Sequence, residues 1–162
     1  MIDFSPLYEK QKQLDLEIAS KHGISYDSTR TSRTIALLVE IGEFANETRA
    51  FKYWSNKGPS PKNITIEEYV DALHFYLSLG ISDNNYLKQY VLKENNKPLN
   101  EKIMDVYSSI VDYARDRNEE NYINSFLLFL DLGRSFGFLE EEIVDAYYAK
   151  LKENHSRQEN NY

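Results

Sequence analysis

The chain has 162 residues, a formal net charge of −7, 41% hydrophobic residues and no cysteine, enough length for one core and too little for two independent ones. The acidic balance argues against broad electrostatic attachment to nucleic acid or to anionic lipid. The missing cysteines exclude disulfides and thiolate chemistry, and they suit a reducing compartment, with the cytoplasm as the default.

One all-α domain over residues 1–162 is the expectation, because only six Gly and four Pro interrupt long stretches of helical periodicity. No apolar run approaches the roughly 20 residues of a membrane-spanning helix. The opening MIDFSPLYEK also lacks a basic-then-apolar signal pattern. The first predicted helix opens at Ser5-Pro6, read as a cap followed by proline in the first turn, and runs to about His22-Gly23. Its stripe is Leu7, Gln11, Leu14 and Ile18, with an amide where an apolar residue is expected. A second helix is predicted over about 28–52, followed by the loop-like SNKGPSPKN. A third opens with Thr65 and Glu68 in capping-box spacing and is predicted to stop at Gly80. Further amphipathic segments are expected at about 83–94, 100–117, 119–133 and 139–158.

The second helix carries LLVEIGEFANETRAFKYW, in which Glu40, Glu43 and Glu47 fall on one narrow stripe flanked by Leu37, Phe44 and Phe51 on one side and Val39 on the other. The third helix sets Glu68 and Asp71 three apart beside Ala72, Leu73, Tyr76 and Leu77. Residues at i, i+3 are neighbours on a helix surface, so successive helices each offer an acidic pair. Carboxylates gathered against apolar surface repel one another and lose hydration unless something positive sits among them. Hard oxygen ligands of this kind suit Mg²⁺ or Mn²⁺, which retain waters and bridge to substrate phosphates. The competing interpretation is an exposed acidic helix face with no ligand. His74, three after Asp71, raises a carboxylate-bridged di-iron bundle, but that architecture needs two carboxylate-x-x-His motifs and the chain has one.

Near the end, Ile143, Tyr147, Lys150, Asn154 and Arg157 alternate by four and three, so one helical face passes from apolar to basic and polar. A Lys and an Arg there can reach a phosphate chain, Arg with a bidentate grip; a basic last turn also favours the helix dipole with no ligand at all. Trp54 and Phe75 suit either packing in the core or contact with a base or ribose.

These residues resemble the dimeric, all-α dUTP pyrophosphatases, relatives of the MazG-like nucleoside triphosphate pyrophosphohydrolases. The resemblance rests on EIGE (Glu40, Glu43), EYVD (Glu68, Asp71), QKQLD (Gln11 to Asp15), FKYW (Phe51 to Trp54), HF (His74, Phe75) and the ending matched by Tyr147, Lys150, Asn154, Arg157 and Gln158. It implies hydrolysis of dUTP, and of dUDP, by attack at the β-phosphorus, with Mg²⁺ (or Mn²⁺) held by Glu40, Glu43, Glu68 and Asp71. It further implies a homodimer and a substrate site that draws on Gln11, Asp15, Lys52, Trp54, His74, Phe75, Lys150, Asn154 and Arg157, with Tyr162 aligned to the tyrosine of a closing tail. Gln11 and Asp15 take the positions that bond the uracil edge, although many relatives have Asn in place of Asp15. A carboxylate there accepts hydrogen bonds only, which leaves dCTP or a broader nucleotide range as one alternative. A non-enzymatic acidic interaction protein is the other. No extended apolar helix spans a membrane in this reading, and no nucleic-acid partner is expected.

Overall fold

The computed structural model describes residues 1–161; Tyr162, assigned above to a closing tail, lies outside them. In chain order the elements are β1 (Ile2–Asp3), α1 (Ser5–His22), α2 (Tyr26–Thr48), α3 (Lys62–Asp83), β2 (Gln89–Tyr90), α4 (Leu99–Arg115), α5 (Glu119–Ser135) and α6 (Glu140–Glu159). The expected all-α architecture is therefore what forms, apart from two antiparallel two-residue strands that pair Ile2 with Tyr90. Among the described residues no helix is long and apolar enough to cross a membrane.

Local chemistry sets the helix ends. The Asp3 carboxylate accepts the Ser5 backbone N–H at 3.0 Å, so a residue before Ser5 satisfies the first turn of α1, and Pro6 has no N–H to satisfy. At α2, the Ser28 N–H donates to the Ser25 hydroxyl at 3.1 Å and the Ser25 N–H to the Ser28 hydroxyl at 2.9 Å, the reciprocal arrangement of a capping box. α1 ends at Gly23 with φ 64°, and α2 at Arg49 with φ 58°, so α2 stops short of the expected residue 52.

Three sequence expectations fail on α3 and beyond. The helix begins at Lys62 after Pro61, not at Thr65; Thr65 is fully buried and its hydroxyl bonds the Lys62 carbonyl at 3.1 Å. Glu68 is thereby released from any capping duty. Gly80 does not stop the helix but lies inside it, where a Cβ would come within 2.3 Å of the Tyr122 hydroxyl. The turn falls instead at Asn84, φ 57°, a conformation Asn tolerates better than most residues. The third failure is the helix expected at 83–94, which is extended around β2. Its backbone N–H groups at Leu92 and Lys93 donate to Glu140 and Asp131, at 3.1 and 2.8 Å, partners that no local pattern reveals.

The core is rich in tyrosine. Tyr69 stacks on Phe129 with centroids 4.3 Å apart and Tyr76 on Phe126 at 5.1 Å, tying α3 to α5. The buried tyrosine hydroxyls find partners, as burial requires: the Leu87 N–H donates to Tyr8, Tyr8 pairs with Tyr122 at 2.8 Å, and Tyr122 donates to the Tyr76 carbonyl at 3.0 Å. The apolar side of α5 is used inside this chain, with Phe126, Phe129 and Leu130 fully buried. Exposed apolar side chains lie elsewhere, at Ile35 and Val39 of α2, Met104 and Val111 of α4, and Phe51, Tyr53 and Trp54.

Candidate active site

α2 and α3 pack with their apolar faces together, Leu37, Ile41 and Phe44 of one and Tyr69, Leu73 and Tyr76 of the other all buried. Glu40 and Glu43 stand on the margin of that seam, and Glu68 and Asp71 face them from α3. One oxygen each of Glu40, Glu68 and Asp71 lie within 4.8 Å of one another. Glu43 is near enough to act on both Glu40 and Glu68. Glu47, on the same sequence stripe, is diverted: its carboxylate accepts the Ser60 hydroxyl and its backbone carbonyl the Ser60 N–H at 3.0 Å, fastening the 49–61 loop.

Burial, and then the neighbouring negative charges, raise Glu40 and Glu68 to about 7. Burial likewise raises Asp71 to about 6, against the pull of Lys150. The cluster therefore holds protons near neutrality that a cation would displace. The Glu40 Oε2 atom is buried without a hydrogen-bond partner, an orphan that a bound cation would satisfy. Convergent hard oxygens with an unpartnered buried lone pair fit a divalent cation of the Mg²⁺ or Mn²⁺ type.

Glu40 and Asp71 form one end of a cavity of about 680 Å³ between α1, α2, α3 and α6. Phe75, Asn154 and Arg157 line it, together with Gln11, Asp15 and His74. Lys150 of α6 is buried to 7% exposure, its Nζ 3.0 Å from Glu67, 3.3 Å from Asp71 and 3.5 Å from Glu153. Arg157 reaches Glu153 at 2.6 Å.

The buried amide of Gln11 has partners on both sides. Its Oε1 accepts from the Tyr147 hydroxyl at 3.1 Å and faces His74 Nδ1 at 2.6 Å, while its Nε2 donates to Asp15 Oδ1 at 3.0 Å. Burial lowers His74 to about 3, so its ring is neutral. A carboxylate at Asp15 requires the amide nitrogen toward it, which leaves Oε1 for His74 and puts the imidazole proton on Nδ1. His74 accordingly supports the amide and stands outside the acidic cluster, which disposes of the di-iron arrangement.

Tyr26, Arg33 and Ser78 also line the cavity and were not singled out from sequence. Tyr26 donates to Asp15 Oδ2 at 3.0 Å, and Arg33 bonds the Ser78 carbonyl and hydroxyl, both at 3.3 Å, and Thr29 at 3.0 Å. On α2 their sequence signal is polar spacing: Tyr26, Thr29 and Arg33 stand three and four apart, on the N-terminal stretch of the stripe that carries Leu37 further along. Lys52 and Trp54, in contrast, sit on the 49–61 loop outside the cavity wall, Trp54 65% exposed.

Comparison with curated proteins finds no match. The family model described as dUTPase does match, over residues 3–162. A match of that extent leaves out only the first two residues, and the six helices are those of an all-α fold; this chain belongs to the dUTPase family and is a dUTP diphosphatase.

Proposed function

We propose that the chain, as one all-α domain over residues 1–162, hydrolyses dUTP, and dUDP as well, to dUMP in a Mg²⁺-dependent reaction, with pyrophosphate released from dUTP. The observation that carries this reading is the set of Glu40, Glu68 and Asp71 oxygens within 4.8 Å at the end of a cavity large enough for a nucleoside. Glu43 completes the ligand set in the proposal, and Mn²⁺ substitutes for Mg²⁺. When bound, such a cation neutralises the phosphate chain and makes a coordinated water acidic enough to attack phosphorus.

The chain's own groups do the rest. Lys150 and Arg157 offset phosphate charge, Arg157 in bidentate fashion. Gln11 presents its remaining N–H and Asp15 its remaining lone pairs to the base. Uracil answers this pair with a carbonyl and its N3–H, and cytosine with N3 and its amino group, so the preference for dUTP is set by how closely each edge fits the two side chains. Phe75 and Asn154 bound the nucleoside, and apolar walls at Leu14 and Ile18 exclude water. Lys52 and Trp54 reach substrate in this reading only from a second copy, consistent with a homodimer through the exposed apolar side chains of α2, α4 and the 49–61 loop. We place the activity in the cytoplasm. Pyrophosphate release from dUTP, dCTP and dTTP, with and without Mg²⁺, tests the proposal; turnover that persists in excess chelator, or a preference for dCTP, overturns it.

A further inference from the structure

We propose that Lys150 is a resident counter-cation of the acidic cluster, held over Asp71 by Glu67 and Glu153, and that it competes with divalent metal for Asp71 until the phosphates of a nucleotide draw it away. This rests on the metal reading above and adds an ordering device to it. An ammonium group has three donors and no acceptor, and Lys150 Nζ meets three carboxylates: Glu67 at 3.0 Å, Asp71 at 3.3 Å and Glu153 at 3.5 Å. Its side chain is 7% exposed whereas those of Glu67 and Glu153 are 49% and 45% exposed, so the acids come to the lysine and not the lysine to water.

Asp71 is the one residue that belongs both to this circle and to the metal-ligand cluster. Glu67 and Glu153 are outside the cluster; their charges are felt at Asp71, but their contact with the site runs through the lysine. A carboxylate shared between two cations binds each less tightly when the other is present, and the coupling is reciprocal. Metal entering the cluster therefore loosens Lys150 from Asp71 while Glu67 and Glu153 keep it within the cavity's edge. Phosphates that take up Lys150 in turn release Asp71 to the metal, so nucleotide and metal each favour the other. Glu67 is then a positioning residue: it sets how much of Lys150 Asp71 sees.

The test is Mn²⁺ titration of nucleotide-free protein, read by the paramagnetic resonance of free Mn²⁺, with kcat and KM measured in parallel. Lys150→Gln is expected to bind Mn²⁺ about fivefold or more tightly than wild type, the lower end of ordinary coupling, while its KM for nucleotide rises. Glu67→Gln is expected to weaken Mn²⁺ binding, and to do so more strongly while Lys150 is present; in the Lys150→Gln background the loss shrinks to the direct effect of one lost charge. Unchanged or weaker Mn²⁺ binding in Lys150→Gln overturns the proposal, as does a Glu67→Gln loss that is undiminished without the lysine. Wild-type protein that binds no Mn²⁺ overturns the metal reading itself. Lys150→Met, which keeps the buried apolar stem, carries the same test if Lys150→Gln does not fold.

Discussion

Protons and metal compete for the same oxygens at the junction of α2 and α3, and the competition has a calculable size. Glu40 and Glu68 sit at about 7 and Asp71 at about 6, and a cation binds only the ionised ligands. Lowering the pH from 8 to 6 reduces apparent affinity about tenfold for each glutamate and about twofold for Asp71, so about 200-fold for three independent groups and less where they share a proton. Mn²⁺ titrations at pH 6, 7 and 8 and constant ionic strength measure this directly. Glu40→Gln removes one tenfold factor, leaving a span of about 20-fold on the same reckoning. The same shifts fix the sign of a stability effect. Both glutamates lie above their ordinary 4.5, so their contribution to cation-free stability is complete below about pH 4.5 and is lost as pH rises through about 7. Melting temperature without metal should fall across that window, and saturating Mg²⁺ should remove the fall. A change in Mn²⁺ affinity of less than about threefold between pH 6 and 8 would refute the reasoning, because ligands already ionised at pH 6 give no such slope.

Relief of repulsion should make Glu40→Gln more stable than wild type in chelator, while Asp71→Asn gains less or loses stability because it also breaks the 3.3 Å pair with Lys150; calorimetric melting separates them, and both should cost at least about two orders of magnitude in turnover. Gln11→Ala should raise KM for dUTP and shrink the dUTP to dCTP ratio of kcat/KM, since a site built on polar contacts discriminates by leaving them unpaired; unchanged ratios would dismiss its role in base reading. Gly80→Ala should lower the melting temperature despite the roughly 1 kcal/mol that alanine gains in a helix, because the new Cβ lies 2.3 Å from the Tyr122 hydroxyl and 2.6 Å from the Asn85 carbonyl oxygen and such overpacking costs about 1–3 kcal/mol. Light scattering at micromolar concentration should return twice the 19.0 kDa chain mass; a monomer mass would remove the second copy from the proposed site.

What the sequence disclosed was whatever depends on local period. The helix seams, the acidic pairs at i, i+3 and the mixed face from Ile143 to Arg157 are set by spacing along one element, and the structure keeps each where spacing put it. Spacing failed where distant partners decide. Tyr86, Leu87, Tyr90, Val91 and Leu92 satisfy a helical pattern, yet side chains at Asp131 and Glu140 take the backbone N–H groups that a helix would use itself. Thr65 and Glu68 form a capping box on paper, but the turn started by Pro61 lies one turn earlier. The site shows the same division. Four carboxylates were legible as two pairs, whereas the ring of acids around Lys150 joins α3 to α6 and the Tyr26–Asp15–Gln11 bonds join α2 to α1, contacts that only the folded chain brings about.

The chain has a single tryptophan and thirteen tyrosines, and the tryptophan lies apart from the buried tyrosines. Tyr69, Tyr76, Tyr113, Tyr122 and Tyr147 are sealed in the interior, while Trp54 stands in water on the 49–61 loop, edge-on to Phe51 and Tyr53 at 6.0 and 5.1 Å. Indole emission excited selectively is therefore a reporter of one surface loop and carries almost no signal of unfolding, because a hydrated indole stays hydrated when the chain opens. Circular dichroism follows the helices instead. The two optical signals are independent, so whatever covers the loop, a second copy or a nucleotide held between copies, registers as a blue shift and reduced quenching by iodide with no change in ellipticity.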